Sequence, residues 1–174
     1  MAISCRHGRV LVKGTLAMAY DNQEEIVALV QHMAAIPERL VRAMTDKPRD
    51  KFLYRPAAGE WTVLEIFAHM RAVDDIVTTR IYMLLSRDNA PLVSFDERRW
   101  AEVARYLQRD IHQSMTLFTL RRIEFVTVLR QLFAEDWQRS GQHETYGTQT
   151  LLSIVRDLVS HEEEHCARIE QLMQ

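Results

Sequence analysis

The feature that most limits how this chain can fold is a series of long segments whose apolar residues recur at helical spacing. Between Leu151 and Leu172 the apolar positions fall on one face of a helix, as expected for a helix packed against a core. Only 5 Gly and 4 Pro occur among 174 residues, which leaves few positions that favour turns. Nothing in the sequence has the pattern of a β-strand. The chain is therefore predicted to be all-α.

Four helical segments can be placed, and their first residues are typical helix caps. The segments cover residues 21–45, 62–85, 96–134 and 148–172. Asp21 opens the first segment as a capping residue, and Thr62 with Glu65 forms a capping box at the start of the second. Thr148 or Thr150 caps the last segment. Four helices with mostly short connections predict an up-down four-helix bundle.

Two of the segments contain expected interruptions. Pro37 lies in the apolar stripe of the first segment and should kink or divide that helix. The third segment would be roughly twice as long as the others if it were unbroken, so we expect a break near residues 108–114. The chain is long enough for one domain with its own core, which we place at residues 21–174.

Residues 1–20 are predicted to be a tail outside this domain. They carry basic residues and a short apolar stretch, but Gly8 and Gly14 interrupt the apolar run that a secretion leader needs. A disordered tail, or a true start of translation at Met18, accounts for this segment better.

Composition excludes some classes of partner. A formal net charge of -2 gives no electrostatic reason to expect nucleic acid or an anionic membrane as a partner. No apolar run approaches the ~20 residues of a membrane span. The two cysteines, Cys5 and Cys166, do not indicate a disulfide scaffold, and a reducing compartment such as the cytoplasm fits them.

His161 and His165 are the strongest sign of chemistry in the sequence. They lie four positions apart on the apolar face of the last helix, so both imidazoles could reach one metal ion. The alternative is that both are core histidines bonded to backbone or carboxylate groups. The letters also match the zinc-protease pattern His-Glu-x-x-His, but the nine residues after His165 contain no suitable third ligand.

A third ligand would therefore have to come from earlier in the chain. His69 shares a helix face with Ile66, Val73 and Ile76 in the second segment. A lone histidine there would most simply be structural, but beside an incomplete pair it is the leading candidate for the third ligand. Three neutral imidazoles would leave a coordination position open, as in catalytic rather than structural metal sites.

At this point the sequence resembles a known family. The run Gly59-Glu60-Trp61-Thr62 with His69 after it, then Trp137, His143 and Gly147, and finally His161 with His165, is similar to the DinB-like (YfiT-like) superfamily. The resemblance covers about residues 21–172. It implies a four-helix bundle, often a homodimer, with a divalent metal held by three histidines that map to His69, His161 and His165.

The resemblance also implies a range of activities. Family members include S-transferases that use low-molecular-weight thiols and an isomerase that works through such a thiol, and many members have no known reaction. We therefore expect a thiol S-transferase that acts on small-molecule electrophiles through a metal-bound thiolate. The alternatives are a hydrolase that uses metal-bound hydroxide and a non-enzymatic metal-binding stress protein. Histidine ligands suit Zn or Ni best here, and also Fe or Cu.

Three further residues are candidates for the site. Glu162 could hold a proton as a catalytic residue or orient His161, and the alternative is an acid paired with an arginine. His143 and Tyr146, in the last loop, could line the mouth of a pocket or could instead be loop-capping residues. The second helix is apolar on more than one face, which could support a homodimer, although the sequence does not indicate which face would pair.

Overall fold

The computed structural model describes the backbone of residues 13–174 and the side chains from residue 22 onward. Its helices are α1 (Lys13–Met44), α2 (Arg49–Leu53), α3 (Val63–Ser86), α4 (Glu97–Val103), α5 (Ile111–Arg130) and α6 (Leu151–Leu172). Its strands are β1 (Ala90–Leu92), β2 (Ser140–His143) and β3 (Gly147–Thr150). Short 3₁₀ turns occupy Tyr106–Gln108 and Asp136–Gln138.

The predicted four-helix bundle is confirmed, and it consists of α1, α3, α5 and α6. Two apolar clusters fill its interior. One surrounds Trp137 at the end of the bundle that carries the strands, and the other surrounds Phe67 and Phe118 at the opposite end. Burying these apolar side chains is the main force that stabilises the helices against each other.

Contacts between the helices give their directions. Glu25 pairs with Arg156, and Arg39 pairs with Glu170, at the same sequence separation of 131 residues, so α1 and α6 run parallel. In α3, His69 meets His161 of α6, and Glu60, just before α3, bonds to Arg168. A later position along α3 therefore contacts an earlier position along α6, so α3 is antiparallel to α6.

Helix α5 runs in the same direction as α3, because Phe67 packs on Phe118 and Tyr82 packs on Phe125. In chain order, the four bundle helices therefore run up, down, down and up. This order differs from the simple up-down series that we predicted from the short connections. The reason is the segment between α3 and α5, which is a crossover. It returns along α3 through α4, and the Tyr106 hydroxyl donates to the Asp75 carboxylate of α3.

Some of the predicted helix ends are confirmed and one is wrong. The capping box of Thr62 and Glu65 is present at the start of α3, and Thr150 caps α6. Helix α1 begins at Lys13, so the prediction that Asp21 caps it is wrong. Part of the predicted tail is thus helical backbone, and the rest of it, residues 1–12, lies outside the described residues.

Of the two interruptions expected in the helical segments, the division at Pro37 is absent and the break in the third segment is present. Pro37 does not divide α1, which is continuous through it. Ile36 and Leu40 are both buried on either side of Pro37, so core packing holds the two halves in one helix. The break in the third segment is confirmed, and it lies at residues 104–110 between α4 and α5.

The expectation of no strands is wrong. Strand β1 pairs parallel with β2, and β2 pairs antiparallel with β3. The strands are only three or four residues long, and β2 and β3 are largely polar, so they lack the apolar alternation that indicates a strand. Gly141 permits the contact between β1 and β2, because a Cβ atom there would clash with the carbonyl oxygen of Ala90.

Within the described residues, no helix combines the length and the hydrophobicity that crossing a membrane requires.

Candidate metal centre

Three imidazole rings converge between α3 and α6. The Nε2 atom of His161 lies 2.9 Å from Nε2 of His69 and 3.1 Å from Nε2 of His165. One ring nitrogen from each residue lies within 4.8 Å of the other two. His161 and His165 face the same way because they are one turn apart on α6, and the antiparallel course of α3 brings His69 opposite them.

The geometry of these nitrogens suits a cation. A neutral imidazole Nε2 carries either one N–H or one lone pair, so Nε2 of His161 cannot form a good hydrogen bond with both neighbours at once. Three ring nitrogens this close to one another are instead a donor set suited to a divalent metal ion. The Nε2 atoms are the ring nitrogens that approach one another, while the Nδ1 atoms of His69 and His161 are buried, with no hydrogen-bond partner among the described residues.

Burial keeps all three rings neutral. It lowers the pKa of His161 to about 4, and the nearby His165 and His69 rings add to that effect. Burial also lowers the pKa values of His69 and His165 below their ordinary range. Neutral imidazole is the form that binds metal, so at neutral pH these rings have lone pairs available for an ion.

Trp61 packs against two of the three histidines. Its ring stacks on His165 at 6.2 Å between centroids, and it meets His69 edge-on at 5.0 Å. The guanidinium of Arg98 lies 5.5 Å from the centre of the Trp61 ring on another side, as in a cation–π contact. Trp61 therefore limits the freedom of the two imidazoles, and it lines the spaces next to both of them.

A cavity of about 260 Å³ opens beside His69. Part of its wall is apolar, formed by Trp61, Ala68, Ala101 and Leu107. The rest is charged, formed by Glu65, Glu97, Arg98 and Glu102. On the other side of Trp61 an open groove reaches His165 and contains Arg168. The three-histidine cluster is thus accessible to small molecules rather than sealed in the core.

Glu162 lies inside the bundle in an ion pair. Its two carboxylate oxygens accept hydrogen bonds from the Arg122 guanidinium at 2.7 and 2.5 Å, and Arg122 also bonds to Asp74 at 2.7 Å. Burial raises the pKa of the Glu162 carboxyl, and the charge of Arg122 opposes that rise. Of the roles expected for Glu162, the geometry matches the acid paired with an arginine.

His143 and Tyr146 lie near the strands and not beside the three histidines. The Nδ1 atom of His143 accepts hydrogen bonds from the backbone N–H groups of Thr145 and Tyr146, which matches the loop-capping alternative. Burial lowers the pKa of His143, and the charge of nearby Arg80 adds to this effect. Arg80 lies about 16 Å along α3 from His69. The cavity beside His69 is lined by other residues.

Several residues of the site were not predicted from the sequence. Glu97 and Arg98 reach the cavity from α4, and only the tertiary packing of the crossover places them there. Arg122, which was not among the residues predicted for the site, is fully buried between Glu162 and Asp74. Its position could have been found, because it shares a helical face with Phe118 and Phe125.

Comparisons with known proteins agree with this architecture. The family model described as "DinB superfamily" matches residues 32–169. A protein of Oceanobacillus iheyensis named "Putative metal-dependent hydrolase" is 22% identical over 143 residues, which is 82% of this chain and 83% of that protein. A protein of Bacillus cereus strain AH820 with the same description is 23% identical over 152 residues, which is 86% of each chain.

A solved structure has the same fold. YfiT from Bacillus subtilis, described as a probable metal-dependent hydrolase with an unusual four-helix bundle topology, superposes with a TM-score of 0.78 at 20% identity, over 97% of this chain and 91% of YfiT. Because the family model matches most of the sequence, the chain belongs to the DinB superfamily.

Proposed function

We propose that His69, His161 and His165 bind one divalent metal ion and that the protein is a metal-dependent enzyme acting on small molecules. The observation that carries this proposal is the convergence of the three Nε2 atoms, all from neutral rings, beside a cavity. Such a donor set suits Zn or Ni, and also Fe or Cu. The names of the relatives, which include the words metal-dependent, support the same class of activity.

For the reaction, we propose transfer of a small thiol to an electrophilic substrate. A bound divalent metal ion would supply Lewis acidity and would lower the pKa of a thiol or water placed at its open position. The side chains Trp61, Ala68 and Ala101 would hold the apolar part of a substrate. Arg98 and Glu97 would contact its polar groups. The cavity fits a molecule that has both apolar and charged parts.

Hydrolysis is the second candidate reaction, and the names of the curated relatives favour it. In this case water would take the place of the thiol at the same three histidines. A separate general base is not supplied by Glu162, because Arg122 occupies both of its carboxylate oxygens. We therefore give Glu162 a positioning role: its ion pair fixes α6 at the residue after His161.

We also propose that the protein forms a homodimer and works in the cytoplasm. The apolar residues of α3 are mostly buried within the bundle, so the contact expected from this helix is not available. Helix α5 instead exposes Leu117, Leu120 and Ile123, which share one side of that helix. Sedimentation of the wild-type protein and of a Leu120→Glu variant would test whether this row of side chains forms a dimer.

The reaction is tested by turnover assays of the metal-loaded protein against a panel of electrophiles and esters, with and without added thiol. Thiol-dependent loss of electrophile, abolished in His69→Ala, would support the transferase. Ester hydrolysis without thiol would support the hydrolase. Metal binding with no turnover in either assay would leave a non-enzymatic metal-binding protein.

A further inference from the structure

A second cavity, of about 400 Å³, lies next to the one beside His69. It is formed where the segment after α1, the start of α3 and the start of α5 meet. Leu107 lines both cavities. Leu64, in the second cavity, lies one turn of α3 before Ala68 of the first. The two spaces are therefore neighbours on the same side of α3.

The charged wall of this second cavity is mainly basic. Lys47, Arg49 and Arg109 line it, together with His112. Asp110 is the acid in its wall, and the Oδ1 atom of this residue already accepts the backbone N–H of Gln113 as the cap of α5. Positive charges gathered around a concave space attract anions into it.

These cations have no acidic partner within the described part of the chain. Other arginines do: Arg39 bonds to Glu170, and Arg156 bonds to Glu25. Arg109 instead donates from Nε to the carbonyl of Ala104 at 3.3 Å, and its guanidinium lies 5.3 Å from the centre of the Tyr106 ring. The side chain of Arg109 is thus held in place while its terminal N–H groups remain available.

We propose that this cavity binds the anionic end, a carboxylate or a phosphate, of the small molecule whose other end reacts at the three histidines. The proposal rests on the proposed function. A guanidinium recognises either anion through paired N–H groups. Leu64 and His69 are about 7.5 Å apart along the α3 axis. The ligand should therefore place its anionic group on the order of 10 Å from its reactive atom.

The cavity itself is tested by titrating the protein with inorganic phosphate and with succinate at constant ionic strength, with the NMR signals of the His112 ring as the reporter. We expect saturable shifts in the wild type and in His69→Ala, because anion binding here does not need the metal. The Lys47→Gln/Arg109→Gln variant should bind at least about tenfold more weakly. Arg130→Gln, which removes an exposed arginine elsewhere, should bind as the wild type does.

Absence of saturable shifts in the wild type, or unchanged affinity in the double variant, would overturn the proposal. The stronger response of the two titrations identifies carboxylate or phosphate as the favoured group. Because His69→Ala keeps this cavity, failure of the metal site would leave these results intact, and the two proposals can fail separately.

The link between the two cavities is tested with a matched pair of thiols, 6-mercaptohexanoate and 6-mercaptohexanol, which differ in the terminal group. Absorption of the Co²⁺-loaded protein reports thiolate binding without turnover. The acid should bind at least about tenfold more tightly than the alcohol, and this preference should disappear in Lys47→Gln/Arg109→Gln. Equal affinities in the wild type would contradict the link.

Discussion

The Arg122 guanidinium holds both carboxylate oxygens of Glu162, the residue that follows His161, in the interior of the bundle. Both side chains are 1% exposed. Burial works against the charge of Arg122, yet Glu162 and Asp74 keep the pKa of its guanidinium above its ordinary value. One arginine of α5 thereby joins α3 and α6, the two helices that carry the three histidines.

Removing the Arg122 side chain should destabilise the folded protein. In Arg122→Met, the buried carboxylate of Glu162 loses its counter-ion and that of Asp74 loses the nearer of two arginines, so we expect the free energy of unfolding to fall by about 3–5 kcal/mol. Chemical denaturation of the variant measures this loss. Arg130→Met, at an exposed position of the same helix, should change stability by about 0.5 kcal/mol or less. A loss below about 1 kcal/mol in Arg122→Met would show that the ion pair does not hold these helices together.

Trp61 should report metal binding by its fluorescence. Its ring lies within 6.2 Å of the rings of His69 and His165, so a paramagnetic ion such as Ni²⁺ held by these histidines should quench it. We expect most of the quenching to vanish in Trp61→Phe and to persist in Trp100→Phe. Quenching that is the same in both variants would place the ion elsewhere.

Gly141 should not tolerate a side chain. An added Cβ would clash with the carbonyl oxygen of Ala90 and come within 2.9 Å of Leu84 Cδ2. We expect Gly141→Ala to lower the free energy of unfolding by about 1–3 kcal/mol, as measured by denaturation. Gln142→Ala, at the exposed neighbouring position, is the control. Equal stability of Gly141→Ala and the wild type would argue against the pairing of β1 with β2.

The pair between α1 and α6 should make stability depend on acid. Arg39 donates to both oxygens of Glu170, and these hydrogen bonds lower the pKa of Glu170 below its ordinary value of 4.5. A lowered pKa in the folded state stabilises the protein above that ordinary value, and this stabilisation disappears as the pH falls through the lowered pKa. Arg39→Gln should therefore lose stability at pH 7, by about 1 kcal/mol at most because Glu170 is partly exposed.

The same comparison at low pH checks the sign of this effect. The difference between wild type and Arg39→Gln should shrink as the pH is lowered below about 4.5, because protonated Glu170, and protonated Glu163 to which Arg39 also donates, no longer attract Arg39. Thermal unfolding across a pH series measures it. A difference that grows on acidification would contradict the assigned pair.

The parts of the fold that depend on local sequence could be predicted. Thr62 and Thr150 cap their helices through residues three positions away, and apolar spacing marks the helices themselves. The three histidines were also recognisable, because two share one helix turn and His69 shares a face with core residues. Each of these signals is contained in a short stretch of chain.

The parts that depend on tertiary packing could not be predicted. The direction of α5 follows from the path of the crossover, which Tyr106 fixes by its contact with Asp75. The strands are short, and β2 and β3 are largely polar, so they form only because the loops that contain them meet. Arg98 reaches the cavity beside His69 only because the crossover packs against α3. No local pattern around Arg98 indicates a site.

Metal content of tag-free protein, determined by elemental analysis, is the most direct test of the three-histidine site. The wild type should carry about one divalent ion per chain. His69→Ala and His165→Ala should lose most of it, while His32→Ala and His112→Ala, which remove exposed histidines outside the cluster, should retain it. Equal metal content in all five proteins would contradict the assignment of His69, His161 and His165 as the ligands.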